Sequence, residues 1–356
     1  MNQPQYQETI DVRSGQDFDR IAFETYLRQH IDGLPQEPLL VTQFPTGVSN
    51  LTYLIKCGNW EAVMRRPPFG QLPPKAHDMT REEGLLRKLS AAFPLVPKPY
   101  VSCEDKTVIG VPFYVMERKK GIVLDDQYLD HHVLSQEECR MISTAMVDTL
   151  SKLHQVDYKT SDLSYLGYPD GFLARQVHGW IKRYEQFQTN DLVIFERLAN
   201  WLVNHIPVST EATIIHNDYK INNMLLSHDL SQVVAVLDWE MATIADPLFD
   251  LGCALSYWVQ EDDPDTLKNS LPSVTATPGF ISRREFIHLY SLKTGKDIPS
   301  LQFYLTFNYF KLAIVFQQFY YRWKIGQVED DRYEEFIGNV KDLMNYAYEV
   351  SEKKIQ

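Results

Sequence analysis

Residues 214–240 read IIHNDYKINNMLLSHDLSQVVAVLDWE, and this stretch decides how the rest of the chain is interpreted. Ile214-Ile215 and Met224-Leu225-Leu226 are apolar runs of strand length, and the β-branched run Val233-Val234-Ala235-Val236-Leu237 is a third. A loop enclosed by buried strands is held still, so its polar side chains point at something fixed. Asp218 stands between the first two runs, Asn223 follows five residues later, and Asp238 closes the third run. A carboxylate so placed can take a proton from a hydroxyl. Asn223 and Asp238 offer the hard oxygens that Mg²⁺ prefers.

Composition narrows what such a loop serves. The 356 residues suffice for two lobes around a sizeable core, and 44% hydrophobic with 23% charged residues describes a folded chain rather than a disordered one. The net charge is −12 and the longest basic run is Arg118-Lys119-Lys120, so a nucleic-acid partner is not expected. The acidic balance and the run Glu261-Asp262-Asp263-Pro264-Asp265 favour cations, although a solvated loop explains the run as well. Cys57, Cys103, Cys139 and Cys253 are scattered among apolar neighbours and read as reduced core thiols. The first 20 residues lack an apolar core, so no secretory signal and a cytoplasmic location are expected. Residues 301–323 are apolar nearly all round, but Gln302, Asn308, Lys311, Gln317 and Gln318 interrupt them; a central helix of a helical lobe is expected there, not a membrane span.

Outward from the central stretch, residues 15–31 have the spacing of an amphipathic helix. Residues 39–44 and 51–57 read as strands around a turn whose Gly47 lets backbone N–H groups approach a phosphate. A third strand, 61–66, ends in Met64-Arg65-Arg66. The helix expected at 80–93 opens with Thr80 and Glu83 as a capping box, which faces Glu83 outward. Glu82 shares the buried stripe with Leu85, Leu86, Leu89 and Phe93, and a carboxylate there calls for a cation. Extended segments at 100–103 and 112–116 lead to the polar exit Glu117-Arg118-Lys119-Lys120-Gly121. Beyond it the pattern is helical: Ser135 and Glu138 cap a helix whose C-terminal His154 is assigned to the helix dipole. Further helices are expected at about 173–187, 191–205, 282–291, 301–323 and 333–352, and Asp246-Pro247 opens one whose first turn holds Asp250.

The spacing HxDxxxxN, met by His216, Asp218 and Asn223 with Asp238 after the next strand, resembles the catalytic loop and metal-holding aspartate of protein kinases. More narrowly, HNDYKINNMLL, VLDWEMATIADPLFDLG, FPTGVSNLTYLI and REEGLL resemble aminoglycoside phosphotransferases and choline-kinase-like small-molecule kinases, above all the kinase-like domain fused to acyl-CoA dehydrogenases in some animals. This resemblance spans about residues 38–325. It implies an α+β, protein-kinase-like fold: an N-terminal nucleotide-binding lobe (1–116) with a small antiparallel sheet and an extra N-terminal helix, a hinge (117–121), and a mainly helical catalytic and substrate lobe (122–356). It also implies ATP and Mg²⁺ as cofactors and a small-molecule hydroxyl as acceptor, whether on a hydroxyacyl-CoA, an aminoglycoside, a choline-like amine or a sugar. Asp218 is then the catalytic base, His216 braces its loop, Lys220 reaches the γ-phosphate, and Asn223 and Asp238 hold the metal. Gly47, Ser49 and Asn50 lie near the phosphates, Glu117 and Arg118 near the adenine, and Asp250 hydrogen-bonds the catalytic-loop backbone. Arg65 stands where kinases carry a lysine and pairs with Glu82; a guanidinium can bridge a phosphate and a carboxylate with different geometry. Asn217 replaces the arginine that docks a phosphorylated activation loop, so such regulation is not expected.

Two other classes compete. A pseudokinase would keep ATP as part of an interaction module, with Arg65 and the single-glycine loop in its favour. A metal hydrolase would use His216, Asp218 and Asp238, but no second histidine sits at metal-ligand spacing.

Overall fold

Strand alternation builds the small lobe and sets which way Arg65 points. The computed structural model describes residues 8–45, 50–68 and 78–353. Strands β1 (Leu40–Gln43), β2 (Leu51–Cys57), β3 (Trp60–Arg66), β4 (Pro99–Cys103) and β5 (Phe113–Glu117) form an antiparallel sheet in the order β1-β2-β3-β5-β4. Ala62, Met64, Phe113 and Val115 enter one core with Phe23 and Leu27 of α1 (Arg20–His30). Val63, Tyr114 and Met116 enter the other with Leu85, Leu86 and Leu89 of α2 (Met79–Ala92). The same period of two turns Arg65, register partner of Tyr114, to the α2 face.

Local caps set where the helices begin. α1 starts five residues later than its periodicity suggests, because the Asp19 carboxylate accepts the N–H groups of Ile21 and Ala22. Likewise α2 is capped by Asp78, which accepts the Arg81 N–H, and not by Thr80, whose hydroxyl donates to Glu104 at 2.8 Å. Glu83 therefore does not face outward as a cap: it is buried beside Glu82 and pairs with Arg87.

The short helix α3 (Lys106–Ile109) belongs to the small lobe; the large lobe begins with α4 (Asp126–Leu129), then α5 (Gln136–His154), α6 (Phe172–Phe187) and α7 (Val193–Asn204). The Ser135–Glu138 capping box of α5 is present with both of its bonds. Strands β6 (Thr213–Ile215), β7 (Met224–Leu226), β8 (Val233–Val236) and β9 (Thr243–Ala245) make two antiparallel ribbons, β6 with β9 and β7 with β8. Helices α8 (Pro247–Tyr257), α9 (Asp265–Ser270), α10 (Arg283–Thr294), α11 (Gln302–Lys324) and α12 (Phe336–Glu352) complete the lobe. α11 is its centre: residues from Phe303 to Ile314 are buried on every side. Among the described residues no helix is long and apolar enough to cross a membrane. A Cβ on Gly252 of α8 would lie 2.6 Å from the Cβ of Tyr304, so that glycine lets α8 and α11 touch. The acidic run at 261–265 is not simply a solvated loop, since Asp263 is buried and takes both Arg283 Nη1 (2.8 Å) and Nη2 (2.5 Å).

Where the chain leaves β5 it is stitched to the large lobe: Ile122 and Leu226 exchange backbone hydrogen bonds of 2.8 Å each. Beside this crossing Glu61 of β3 gathers Arg118 Nη1 (2.5 Å), Lys120 Nζ (2.7 Å) and Lys56 Nζ (3.3 Å). The Lys120 hydrogen bond, followed by Arg118 and Lys56, overcomes burial and lowers the Glu61 carboxyl to about 2. A carboxyl depressed by folding contributes stability above its unfolded value, about 4.3, and loses it as pH falls through the folded value. Glu61→Gln is therefore expected to melt below wild type at pH 7, with the gap closing between about pH 4 and pH 2; melting curves of both proteins across that range are the check.

Candidate active site

The site is built on the turn between β6 and β7. Asp250, fully buried in the first turn of α8, accepts the backbone N–H groups of His216 at 2.7 Å and Asn217 at 2.8 Å. His154 Nε2 lies 3.2 Å from the same carboxylate, and its Nδ1 lies 2.7 Å from the Tyr290 hydroxyl. Burial alone would raise the Asp250 carboxyl, but His154, His216 and the backbone donor outweigh it and hold it low. The helix-dipole assignment of His154 is thus incomplete: its ring is a buried partner of the residue that shapes the loop.

His216 ties the turn to the end of β8. The Asp218 N–H donates to its Nδ1 at 3.3 Å, so Nε2 is the protonated nitrogen and donates to Leu237 O at 2.9 Å. Both ring nitrogens are committed, which removes His216 as a metal ligand and with it the hydrolase geometry. Among the described residues no three His, Cys, Asp or Glu side chains are grouped to hold a metal.

Asp218 is surrounded by donors. Asn223 Nδ2 donates to its carbonyl at 2.9 Å and its Oδ2 at 3.0 Å, and Lys220 Nζ lies 2.8 Å from Oδ2. Burial opposes the charge on Lys220, yet Asp218 and then Asp238 hold its ammonium above the usual lysine value. Burial, with Asp218 next to it, likewise pushes up the phenol of Tyr257. Leu237 N–H donates to Asn223 O at 2.8 Å and so aligns Asn223 with Asp238, which adopts a left-handed φ of 65°. With Nδ2 occupied, Asn223 keeps Oδ1, and Asp238 keeps Oδ2, clear of hydrogen bonds from the described residues. An amide oxygen and a carboxylate oxygen on adjoining segments suit Mg²⁺, which takes one or two protein oxygens and completes its octahedron with phosphates and water.

Arg65 closes the group from the small lobe. Its Nη1 lies 2.7 Å from Glu82 Oε1 and its Nη2 3.1 Å from Asp238 Oδ1. Burial works against the guanidinium, but Glu82 and Asp238 keep it charged. Asn50 Nδ2 donates to Glu240 Oε2 at 2.9 Å, and burial, followed by the charge of Asp238, raises the Glu240 carboxyl to about 7. Arg81, beside Glu82, donates to Glu240 O (3.1 Å) and Ala242 O (2.6 Å) and ties α2 to the segment after Asp238.

These side chains face one cleft of about 640 Å³ between the lobes, apolar toward Val63, Leu86, Met116 and Leu225. The cleft brings together Asn50, Arg65, Glu82, Asp218, Lys220, Asn223 and Asp238, with Glu117 and Arg118 on its rim. The last two have engaged heads, Arg118 with Glu61 and Glu8 and Glu117 with Lys119 and the Lys98 N–H. Gly47 and Ser49 lie outside the described residues. Sequence reasoning passed over Arg81, Glu240, Tyr257 and Lys311. Glu240, two residues after Asp238, and Arg81, beside Glu82, had a local signal; Tyr257 and Lys311 had none.

Removing one member of a buried charged group strands the others. Arg65→Met is expected to lower stability by about 3–5 kcal/mol. Arg65→Lys falls between, because one ammonium cannot span both carboxylates as a fork does. Urea unfolding of the three proteins measures both differences.

Comparison with known proteins identifies the family of this fold. The chain matches the model of the phosphotransferase enzyme family over residues 40–271. It is 33% identical over 353 residues to acyl-CoA dehydrogenase family member 11 of Gallus gallus, covering 97% of this chain and 45% of that one. Against acyl-CoA dehydrogenase family member 10 of Mus musculus the identity is 32% over 329 residues, covering 90% and 30%. The chain thus spans less than half the length of these curated relatives. Among solved structures, a candidate aminoglycoside phosphotransferase from Ralstonia eutropha superposes with a TM-score of 0.81 at 30% identity, covering 96% of this chain and all of that one. Choline kinase from Cryptosporidium parvum shares the fold at a TM-score of 0.63 and 14% identity, covering 94% and 96%. With a two-lobed kinase-like fold and a family match over most of its length, the chain belongs to the phosphotransferase enzyme family.

Proposed function

We propose that this protein transfers the γ-phosphoryl group of ATP to a hydroxyl of a small molecule, with Asp218 as base and Asn223 and Asp238 as the Mg²⁺ ligands. The observation that carries the reading is the convergence of Asp218, Asn223, Asp238 and the Arg65–Glu82 pair on one interlobar cleft. Asp218, Asp238, Glu82 and Glu240 are set there against Arg65 and Lys220, and an excess of carboxylates over cations favours a divalent ion. Bound Mg²⁺ would neutralise charge on the phosphates. Asp218 accepts the acceptor's hydroxyl proton, Asn223 holds that carboxylate in place, and Arg65 keeps Asp238 oriented while Lys220 offsets negative charge beside the base.

A second hollow, about 250 Å³, adjoins the cleft through Lys220 and Asn222, which line both. Met146, Tyr257, Trp258, Phe286 and Phe316 make it largely apolar, and none of the described residues lining it is a carboxylate. A polycation finds no counter-charge there. This supports an acceptor with an apolar body and no positive charge, such as a hydroxyacyl compound, over an aminoglycoside, a choline-like amine or a sugar, despite the acidic balance of the whole chain. The dehydrogenase relatives point the same way.

The test is ADP release from Mg-ATP with a hydroxyacyl-CoA, choline, an aminoglycoside and a sugar as acceptors. Turnover is expected with the first, falling by about 10²- to 10⁴-fold in Asp218→Ala and also lost in Asp238→Ala. Unchanged turnover in both variants removes the assignment. Binding of Mg-ATP with no turnover of any kind favours the interaction-module reading, whose support is that both terminal nitrogens of Arg65 are occupied by carboxylates.

A further inference from the structure

Lys311 is the buried charge that the mechanism above leaves unused. It lies midway along α11, its ammonium 3.1 Å from Asn217 Oδ1 and 3.3 Å from Asn217 O. The rings of Trp180 and Phe249 stand 5.9 and 6.0 Å away, close enough for a weak attraction, and among the described residues no carboxylate pairs with it. Taking an ammonium out of water without a counter-ion is costly, and an apolar side chain of similar length would fill the α11 core more cheaply. Among the described residues its hydrogen bonds all go to one residue, Asn217.

That residue immediately precedes Asp218. Asn217 adopts φ +66°, which a non-glycine side chain keeps only when its surroundings hold it. It is gripped on three sides: Asp250 takes its N–H, Met241 O takes its amide Nδ2 at 3.2 Å, and Lys311 reaches both of its oxygens. The Asn217 carbonyl and the Asp218 N–H belong to one peptide plane. Lys311 holds that plane by its oxygen, and His216 Nδ1 holds it by its N–H at 3.3 Å. A plane clamped at both ends fixes the direction in which the Asp218 side chain leaves the backbone.

We propose that Lys311 is a positioning residue for phosphoryl transfer: it clamps the Asn217–Asp218 peptide and so aims the Asp218 carboxylate, at a cost to the stability of the fold. This rests on the reading of Asp218 as the base.

The experiment measures Mg-ATP hydrolysis by the full chain, with water as acceptor, alongside melting temperature, for wild type, Asp218→Ala, Lys311→Met, Asn217→Gly and the Lys311→Met/Asn217→Gly double variant. Lys311→Met is expected to melt at or above the wild-type temperature and to keep the KM for ATP, while kcat falls roughly 10- to 100-fold, the scale of a misaimed catalytic group. Because the clamp is on the Asn217 backbone carbonyl, which glycine keeps, Lys311→Met is expected to lower kcat in the Asn217→Gly background as well. A Lys311→Met kcat within twofold of wild type, beside an inactive Asp218→Ala, overturns this proposal and leaves the base assignment standing. A Lys311→Met protein that fails to fold, or melts well below wild type, overturns it as well, since the ammonium would then serve the core. Full hydrolysis by Asp218→Ala overturns the base assignment and this proposal together.

Discussion

One buried carboxylate, Asp250, is the constraint from which the site follows. Two backbone N–H groups at the apex of a turn have no strand partner, and each bond to a charged acceptor is worth about 1.5–3 kcal/mol. Asp250 meets that need from the first turn of α8, where the helix dipole favours a negative charge. Its place is inherited from the helical core: Asp246 caps α8, Tyr304 of α11 donates to Asp246 Oδ2 at 2.8 Å, and Gly252 lets the two helices close. The packing of apolar helices therefore sets where Asp218 stands.

A second constraint joins the lobes. The Arg65 guanidinium receives Glu82 from α2 on one nitrogen and Asp238, from the loop after β8, on the other. A planar fork can hold two carboxylates at once, which an ammonium does with difficulty. The orientation of Asp238 thereby depends on the small lobe's being seated, and Arg81 adds backbone contacts from α2 to the same segment. The arginine at a position where kinases carry lysine is coherent with this bridging geometry.

Much of this was readable in the chain itself, because each feature has a local physical cause. Alternating apolar residues declared the strands, Asp246-Pro247 declared the start of α8, and Ser135 with Glu138 declared that of α5. HNDYKINN between apolar runs marked the turn that carries Asp218, and a lone Glu82 on a buried stripe called for the cation that Arg65 supplies. Errors arose where two local signals compete: Asp78 displaced Thr80 as the cap of α2, since a carboxylate two residues earlier accepts the Arg81 N–H and starts the helix at Met79.

Other features belong to the folded molecule alone. His154, Tyr257 and Lys311 lie on three different helices, far in sequence from the turn they face, and no periodicity distinguishes a lysine that merely interrupts an apolar helix from one that hydrogen-bonds Asn217. The sequence by itself determined the strands, the turn and the chemistry of its side chains, because those depend on neighbours a few residues away. Only the tertiary structure decided which buried charges face that turn and which hollow adjoins it, because hydrogen bonds and burial across more than 90 residues of chain depend on how the helices pack.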